Sequence, residues 1–386
     1  MTTVTIDDVV SLISDLVRID SVTPWLVEGG AGEREVVEYF RQWLSDLPVE
    51  IVVDEIASGR LNLVATLRGS GGGPTLCLNA HADTVGYAGW PATALVPRLE
   101  GDRLYGLGAA DDKGCCAVAL LVLRHFATRN EKLRGDLVVA CVADEEGVSI
   151  GSERLVENLR ADAAIVLEAD GLPRVIVEHQ GFGWIDVVVH GRAAHGSTPD
   201  EGVDAIVGLS LIVARLHELD RTVFAATSGE RNGRTVFHTG TVHGGTDYAT
   251  YPSQATLGIE IGTQPGETLQ NRVDEISRIA ADVAAEIPGL RAEVVVRLER
   301  EPFRARGHER LLDALQRAAI AQLGERLEEV GLNAWTDAAL MQSSGTATVM
   351  MGPRGGNLHC PDEWVSVSEV VATVDLLVDA VDDFLG

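Results

Sequence analysis

The chain has 386 residues, 46% of them hydrophobic and 23% charged, with a formal net charge of −27. That length exceeds one ordinary core and predicts two domains, or one large domain carrying an insertion. The acidic excess repels phosphate backbones and anionic headgroups, and no run approaches the roughly 20 apolar residues of a membrane span, so neither nucleic acid nor a membrane is an expected partner.

Residues Met1 to Asp8 contain no basic stretch followed by an apolar run, which predicts no secretory leader and a cytoplasmic address. The five cysteines, Cys77, Cys115, Cys116, Cys141 and Cys360, are odd in number and lack zinc-ribbon spacing, as expected of reduced thiols. Apolar residues fall at helical spacing from Ile6 to Ile19, with Thr5 as N-cap, and again from Glu33 to Leu44. Strands are predicted at Val49–Val53, Asn62–Arg68 and Pro74–Asn79, the last two read as a hairpin around Gly69-Ser70-Gly71-Gly72-Gly73. A helix over Lys113–Ala127, a strand over Asp136–Ala143, a helix over Ser152–Leu159 and a strand over Ala163–Leu167 follow. This alternation predicts an α/β fold, a mostly parallel sheet with helices on both faces.

After Glu178 the order changes to strand (Phe182–His190), helix (Val203–Leu219), strands (Thr235–Val242 and Ala255–Gly262), helix (Thr268–Ile287) and strand (Ala292–Leu298). That is a βαββαβ, ferredoxin-like module inserted in the larger domain. The predicted organisation is 1–180 and 303–386 for the large domain and 181–302 for the insertion. Helices at His308–Gln322 and Asp337–Ser344, a strand at Ala347–Met351 and a helix at Ser368–Phe384 complete the chain.

Imidazoles and carboxylates collect where strands of the large domain end, the place where open α/β sheets bind ligands. His81 and Asp83 follow one strand, and a carboxylate two residues from a liganding histidine can hold its second ring nitrogen. Asp111 and Asp112 open a helix, where Asp is also an ordinary cap. Asp144-Glu145-Glu146 ends a buried strand, and three adjacent acids repel one another unless a cation or protons compensate them. Glu168 and Asp170 close another strand, and His359 lies in a glycine-rich loop. Each alone is equivocal. Together they form a mixed nitrogen and oxygen set suited to zinc, with one Asp able to bridge two ions about 3.5–4 Å apart.

The motifs His81-Ala-Asp83, Gly106-Leu-Gly-Ala-Ala-Asp111-Asp-Lys-Gly114, Asp144-Glu145-Glu146, Glu168, Gly191-Arg-Ala-Ala-His195 and His359-Cys-Pro-Asp-Glu363 resemble, in order, those of the family of acetylornithine deacetylase, succinyl-diaminopimelate desuccinylase, aminoacylase and carboxypeptidase G. The resemblance implies two Zn2+ per subunit, with Co2+ or Mn2+ also compatible. His81, Glu168 and Asp111 would hold one, and Glu146, His359 and the bridging Asp111 the other. Glu145 would be general acid and base, Asp83 the partner of His81, and the peptide after Asp111 cis. The insertion would be a lid and dimerisation domain, its His195 reaching the partner subunit's active site to stabilise the oxyanion. Two departures stand out. Ala249 and Gly262 occupy positions where relatives carry an Asn and a carboxylate-binding Arg, so either the substrate has no carboxylate there or Arg234, Arg192 or Arg354 replaces the contact. Asp112 replaces a Met common in relatives and either alters metal affinity or points to solvent.

The reading these features favour is hydrolysis of an amide bond in an N-acyl amino acid or small peptide-like substrate, by attack of metal-bound hydroxide, in a homodimer built through the lid. A dizinc aminopeptidase or dipeptidase is the second reading, and a non-catalytic metal- or ligand-binding relative the third. Glu145 argues against the third, because a binding protein needs no proton shuttle.

Overall fold

Strands apolar on both faces can be satisfied only between two layers of helix. The computed structural model describes residues 4–386, so the leader reading for Met1–Asp8 falls partly outside the described residues. The chain runs α1 (Ile6–Val17), α2 (Arg34–Trp43), β1 (Glu50–Ala57), β2 (Arg60–Leu67), β3 (Thr75–His81), β4 (Arg98–Glu100), β5 (Arg103–Tyr105), α3 (Lys113–Ala127), β6 (Asp136–Val142), α4 (Ile150–Asn158), β7 (Ala163–Leu167) and β8 (Arg174–His179). It continues through β9 (Gly181–His190), α5 (Ala205–Leu219), β10 (Phe237–Gly244), β11 (Gln254–Thr263), α6 (Leu269–Glu286) and β12 (Arg291–Arg300). The last elements are α7 (Glu309–Leu323), α8 (Ala338–Ser343), β13 (Ala347–Met351), β14 (Gly355–Gly356), β15 (Trp364–Ser366) and α9 (Val367–Leu385).

Two compact units result. One holds the chain up to Val177, Ala305–Glu329 and Thr336–Gly386; the other holds Glu178–Arg304 and Val330–Trp335. In the first, the sheet order is β1-β2-β6-β3-β7-β13-β8. Its centre, β6-β3-β7-β13, is parallel. Antiparallel strands extend it on both sides. Leu76 and Leu78, Val139 and Cys141, Ile165 and Leu167, and Val349 and Met351 enter one core together with α1, α2, α3, α7 and α9. The intervening Cys77, Val138, Ala140, Val166 and Met350 are buried too, on the face where α4 packs on β2 and β6 and meets α8. Burial on both faces is why these strands read as apolar runs without alternation. In register, His81 lies beside Val142, and Met351 beside Leu167, so the carboxyl ends of the parallel strands share one edge.

In the second unit all neighbours in the order β10-β11-β9-β12 are antiparallel. Ile185, Val187 and Val189 of β9 and Leu257, Ile259 and Ile261 of β11 pack under α5 and α6. In β11 Thr256, Gly258, Glu260 and Gly262 alternate with them, the pattern of a sheet covered on one face.

Three local outcomes are informative. Thr5 forms a reciprocal capping box with Asp8 at the start of α1. The expected hairpin between β2 and β3 is absent, because β6 lies between them and pairs with both. The glycine run is instead a crossing: a Cβ on Gly69 would lie 2.3 Å from the Gly135 carbonyl oxygen, and one on Gly73 would lie 2.4 Å from the Gly135 nitrogen. Small residues are needed there so that the connection can pass over the entry to β6. Strand β8 was not anticipated, since its six residues follow a Leu172–Pro173 turn that masks the apolar run.

Phe40 of α2 is fully buried in the helix-covered core. Phe40→Ala is expected to cost about 3–5 kcal/mol through lost transfer energy and the cavity left behind, measured as a lower urea midpoint at unchanged slope.

Candidate metal centre

Strand ends and the loops after them deliver the side chains. β3 ends at His81 and is followed by Asp83; the turn before α3 carries Asp111; the loop after β6 carries Glu145 and Glu146; Glu168 follows β7; His359 lies between β14 and β15. Two donor groups form, each with ligand atoms within 4.8 Å of one another: His81, Asp111 and Glu168, and Asp111, Glu146 and His359. Asp111 belongs to both. Its Oδ1 is 2.9 Å from His81 Nε2 and its Oδ2 is 3.2 Å from His359 Nε2, while Glu146 Oε1 is 3.1 Å from that same His359 nitrogen. Glu145 lies outside both groups.

Buried carboxylates outside the two groups fix the backbone that carries them. Glu363 is buried and accepts hydrogen bonds from the amides of Gly108, Ala110 and Asp111, at 3.1, 2.9 and 3.0 Å. It thereby sets the turn that presents the shared Asp111. The peptide between Asp111 and Asp112 is cis, as the resemblance implied. Asp83 has a broader part than the one expected of it. His81 Nδ1 lies 3.1 Å from the Asp83 carbonyl and 3.5 Å from its carboxylate. The carboxylate accepts the amides of Glu145 and Glu146, at 3.1 and 3.2 Å. One residue therefore orients a ring on one strand and a loop on the next.

Asp112 does not point to solvent. It is fully buried, and its Oδ2 accepts the His81 amide at 3.0 Å. A side chain that short at a helix start turns inward here to satisfy a backbone donor that the sheet leaves over at the end of β3.

The charges show what the donor set suits. Burial, then the Asp111 charge, pushes Glu146 up to about 7. Burial also raises Glu145 and Glu168 well above the usual carboxylate range, and neighbouring acids add to both shifts. Hydrogen bonds to Asp111 and Glu146 raise His359 to about 10. Burial opposes a charge on His81, yet Asp111 and Asp83 hold its pKa up. Without a cation the cluster balances only by taking up protons at acids and imidazoles alike. Divalent cations between these atoms would supply the missing positive charge, and the imidazole and carboxylate donors suit zinc. The residues fit the metals.

Two buried acids went unassigned by sequence reasoning. Glu363 was visible in the His359 motif, but its contacts required the fold. Asp337, held at about 6 by burial, accepts a hydrogen bond from Ser152 Oγ at 2.6 Å and adds to the negative charge around Glu145. No sequence signal marks it. In the other unit, His195 is exposed and forms a bridge with Thr250. The Ser197 amide and hydroxyl meet His195 at Nδ1, at 3.2 and 2.7 Å, so both contacts engage that nitrogen rather than Nε2. At Gly262, a Cβ would lie 2.4 Å from Gln180 Oε1, so Gln180 occupies the space an arginine would need. Arg234 is paired with Asp220 and Arg354 with Glu369, while Arg192 donates from Nε to the Glu201 carbonyl.

Residues 77–383 match peptidase family M20/M25/M40. An acetylornithine deacetylase of Myxococcus xanthus is 31% identical over 342 residues, covering 86% of this chain and 87% of that protein. One from Aliivibrio salmonicida is 28% identical, covering 90% of each. Among solved structures, a tripeptidase from Staphylococcus aureus superposes with a TM-score of 0.81 at 23% identity over 98% of each chain. A dinuclear metal-binding peptidase from Bacillus subtilis does so with a TM-score of 0.75 at 18% identity, also over 98% of each.

Glu363→Ala leaves three buried amides without an acceptor. It is expected to lower stability by about 2–4 kcal/mol, the cost of unsatisfied buried donors, read from chemical denaturation of the metal-free protein.

Proposed function

We propose, for a chain that belongs to peptidase family M20/M25/M40 and is a metal-dependent hydrolase, that it cleaves the amide bond of an N-acyl amino acid or a small peptide-like molecule. The observation that carries this reading is the sharing of Asp111 between two donor groups, with a further carboxylate, Glu145, that belongs to neither. His81, Asp111 and Glu168 would hold one zinc, and Asp111, Glu146 and His359 the other. Zinc bound there would supply Lewis acidity, lowering the pKa of water towards about 7 and polarising the amide carbonyl.

The chain's own residues do the rest. Glu145, whose proton affinity is raised by burial, takes a proton from the attacking water and returns it to the leaving amine. Asp83 keeps the Glu145 amide, and so the carboxyl, in place. His195 offers an Nε2 donor to the developing oxyanion, contributed by the partner subunit of a homodimer. Dimerisation through the inserted module is supported by β10, an edge strand exposed along nearly its whole length, and by Ile206, Val207 and Leu211 exposed on α5. Unpaired edges and exposed apolar side chains are surfaces that proteins usually cover. Arg234 and Arg354 are already ion-paired, whereas Arg192 donates to the Glu201 carbonyl, which favours Arg192 as the group that meets a substrate carboxylate in place of the lid arginine of relatives.

The test is release of primary amine from N-acetyl, N-succinyl, N-carbamoyl and N-aminoacyl amino acids and from unblocked peptides, with and without chelator. Chelator-sensitive release from the N-acylated set is expected. Release from unblocked peptides alone would favour the peptidase reading, and silence from metal-loaded protein would favour a binding protein. Glu145→Gln is expected to lower kcat by roughly 10²–10⁴-fold, the usual worth of a general acid and base, with metal content unchanged. Sedimentation is expected to give a dimer; a monomer would remove the proposed role of His195.

A further inference from the structure

The loop that carries Glu145 and Glu146 is held from behind by two residues of β2, and we propose that Arg60 and Asn62 are positioning residues for it. Their alternate spacing on the strand puts both side chains on one face. Both are buried, Arg60 at 8% exposure and Asn62 at 2%. Asn62 closes the loop. Its Oδ1 accepts the Ala143 amide at 2.9 Å and its Nδ2 donates to the Gly151 carbonyl at 2.8 Å, while the Gly151 amide donates to the Ala143 carbonyl at 3.2 Å. The fit is close: a Cβ on Gly151 would lie 2.7 Å from Asn62 Oδ1.

Arg60 holds the loop's first residue. Its guanidinium donates twice to Glu33 from Nε, at 3.1 and 2.9 Å, and once from Nη2 at 2.7 Å. The same Nη2 reaches Asp144 Oδ1 at 2.7 Å and Thr23 Oγ1 at 3.0 Å. Asp144 has a φ of 67°, a conformation costly for a residue with a side chain unless its surroundings enforce it. Its carboxylate accepts the Val148 amide, and its carbonyl accepts those of Gly147 and Ser149. Arg60 therefore fixes the turn in which the next two residues are Glu145 and Glu146. Asp83 grips their amides from the front. A lysine could replace Arg60 only in part, because a single ammonium loses the paired donation from Nε and Nη2 to Glu33.

The inference rests on the reading that Glu146 is a ligand and Glu145 the proton carrier. Its specific consequence is asymmetric: displacement of this loop would disturb a metal held by Glu146 and His359 and spare one held by His81 and Glu168. The experiment is stepwise titration of the metal-free protein with Co2+, followed by visible absorption, for wild type, Arg60→Lys, Arg60→Ala and Asn62→Asp. Phe40→Ala serves as a control that loses stability in the helix-covered core. One of the two binding steps is expected to weaken by roughly 10–100-fold, as for other residues that orient metal ligands, with an altered spectrum for that step, an unchanged second step and a smaller effect in Arg60→Lys. The control is expected to keep both steps. Should Arg60→Ala fail to fold, Arg60→Lys and Asn62→Asp decide. Unchanged steps in all folded variants, or equal weakening of both, would overturn the positioning role. A wild-type protein that binds no pair of cobalt ions would overturn the reading beneath it, and this inference with it.

Discussion

The structure depends on a concentration of negative charge that cannot exist by itself. Asp111, Glu146 and Glu168 converge with two imidazoles within 4.8 Å groups, and Glu145, Asp112 and Asp337 crowd around them. Like charges at such separations, away from water, raise one another's proton affinity. Such an arrangement persists only when protons or cations compensate it, and that requirement organises everything nearby.

The backbone that carries such acids is held by other buried carboxylates: Glu363 accepts three amides, Asp83 two and Asp112 one. The parallel sheet makes this possible, because strands ending at one edge release amides and carbonyls into loops that must be satisfied by side chains. Burial on both faces of that sheet holds the strands from whose ends the loops carrying these residues start. The second unit, covered on one face only, is built by different rules, with an edge and a polar face left to other uses.

Much of this was legible before any coordinates. The strand and helix alternation and the inserted βαββαβ order follow from periodicity, and the gathering of acids and histidines follows from their places at strand ends, whereas their division into two metal-binding sets comes from the family resemblance alone. What escaped has physical causes. The β2–β3 hairpin was inferred from a glycine run, which is ambiguous between a turn and a close crossing; only the position of Gly135 distinguishes them. Asp112 was allowed to face solvent because helix starts are usually exposed, whereas the unpaired His81 amide draws it inward. Asp337, Arg60 and Asn62 act through partners 84 to 185 residues away for Arg60–Asp144 and Ser152–Asp337, and 81 or 89 for Asn62. Single-sequence patterns do not report contacts at such separations.

The central claim is that Asp111 is shared by two cations. Crystals grown with zinc and measured at the zinc absorption edge test it directly. Two anomalous peaks per chain are expected on either side of the Asp111 carboxylate, one beside His81 and Glu168 and the other beside Glu146 and His359. A single peak, or peaks away from Asp111, would contradict it.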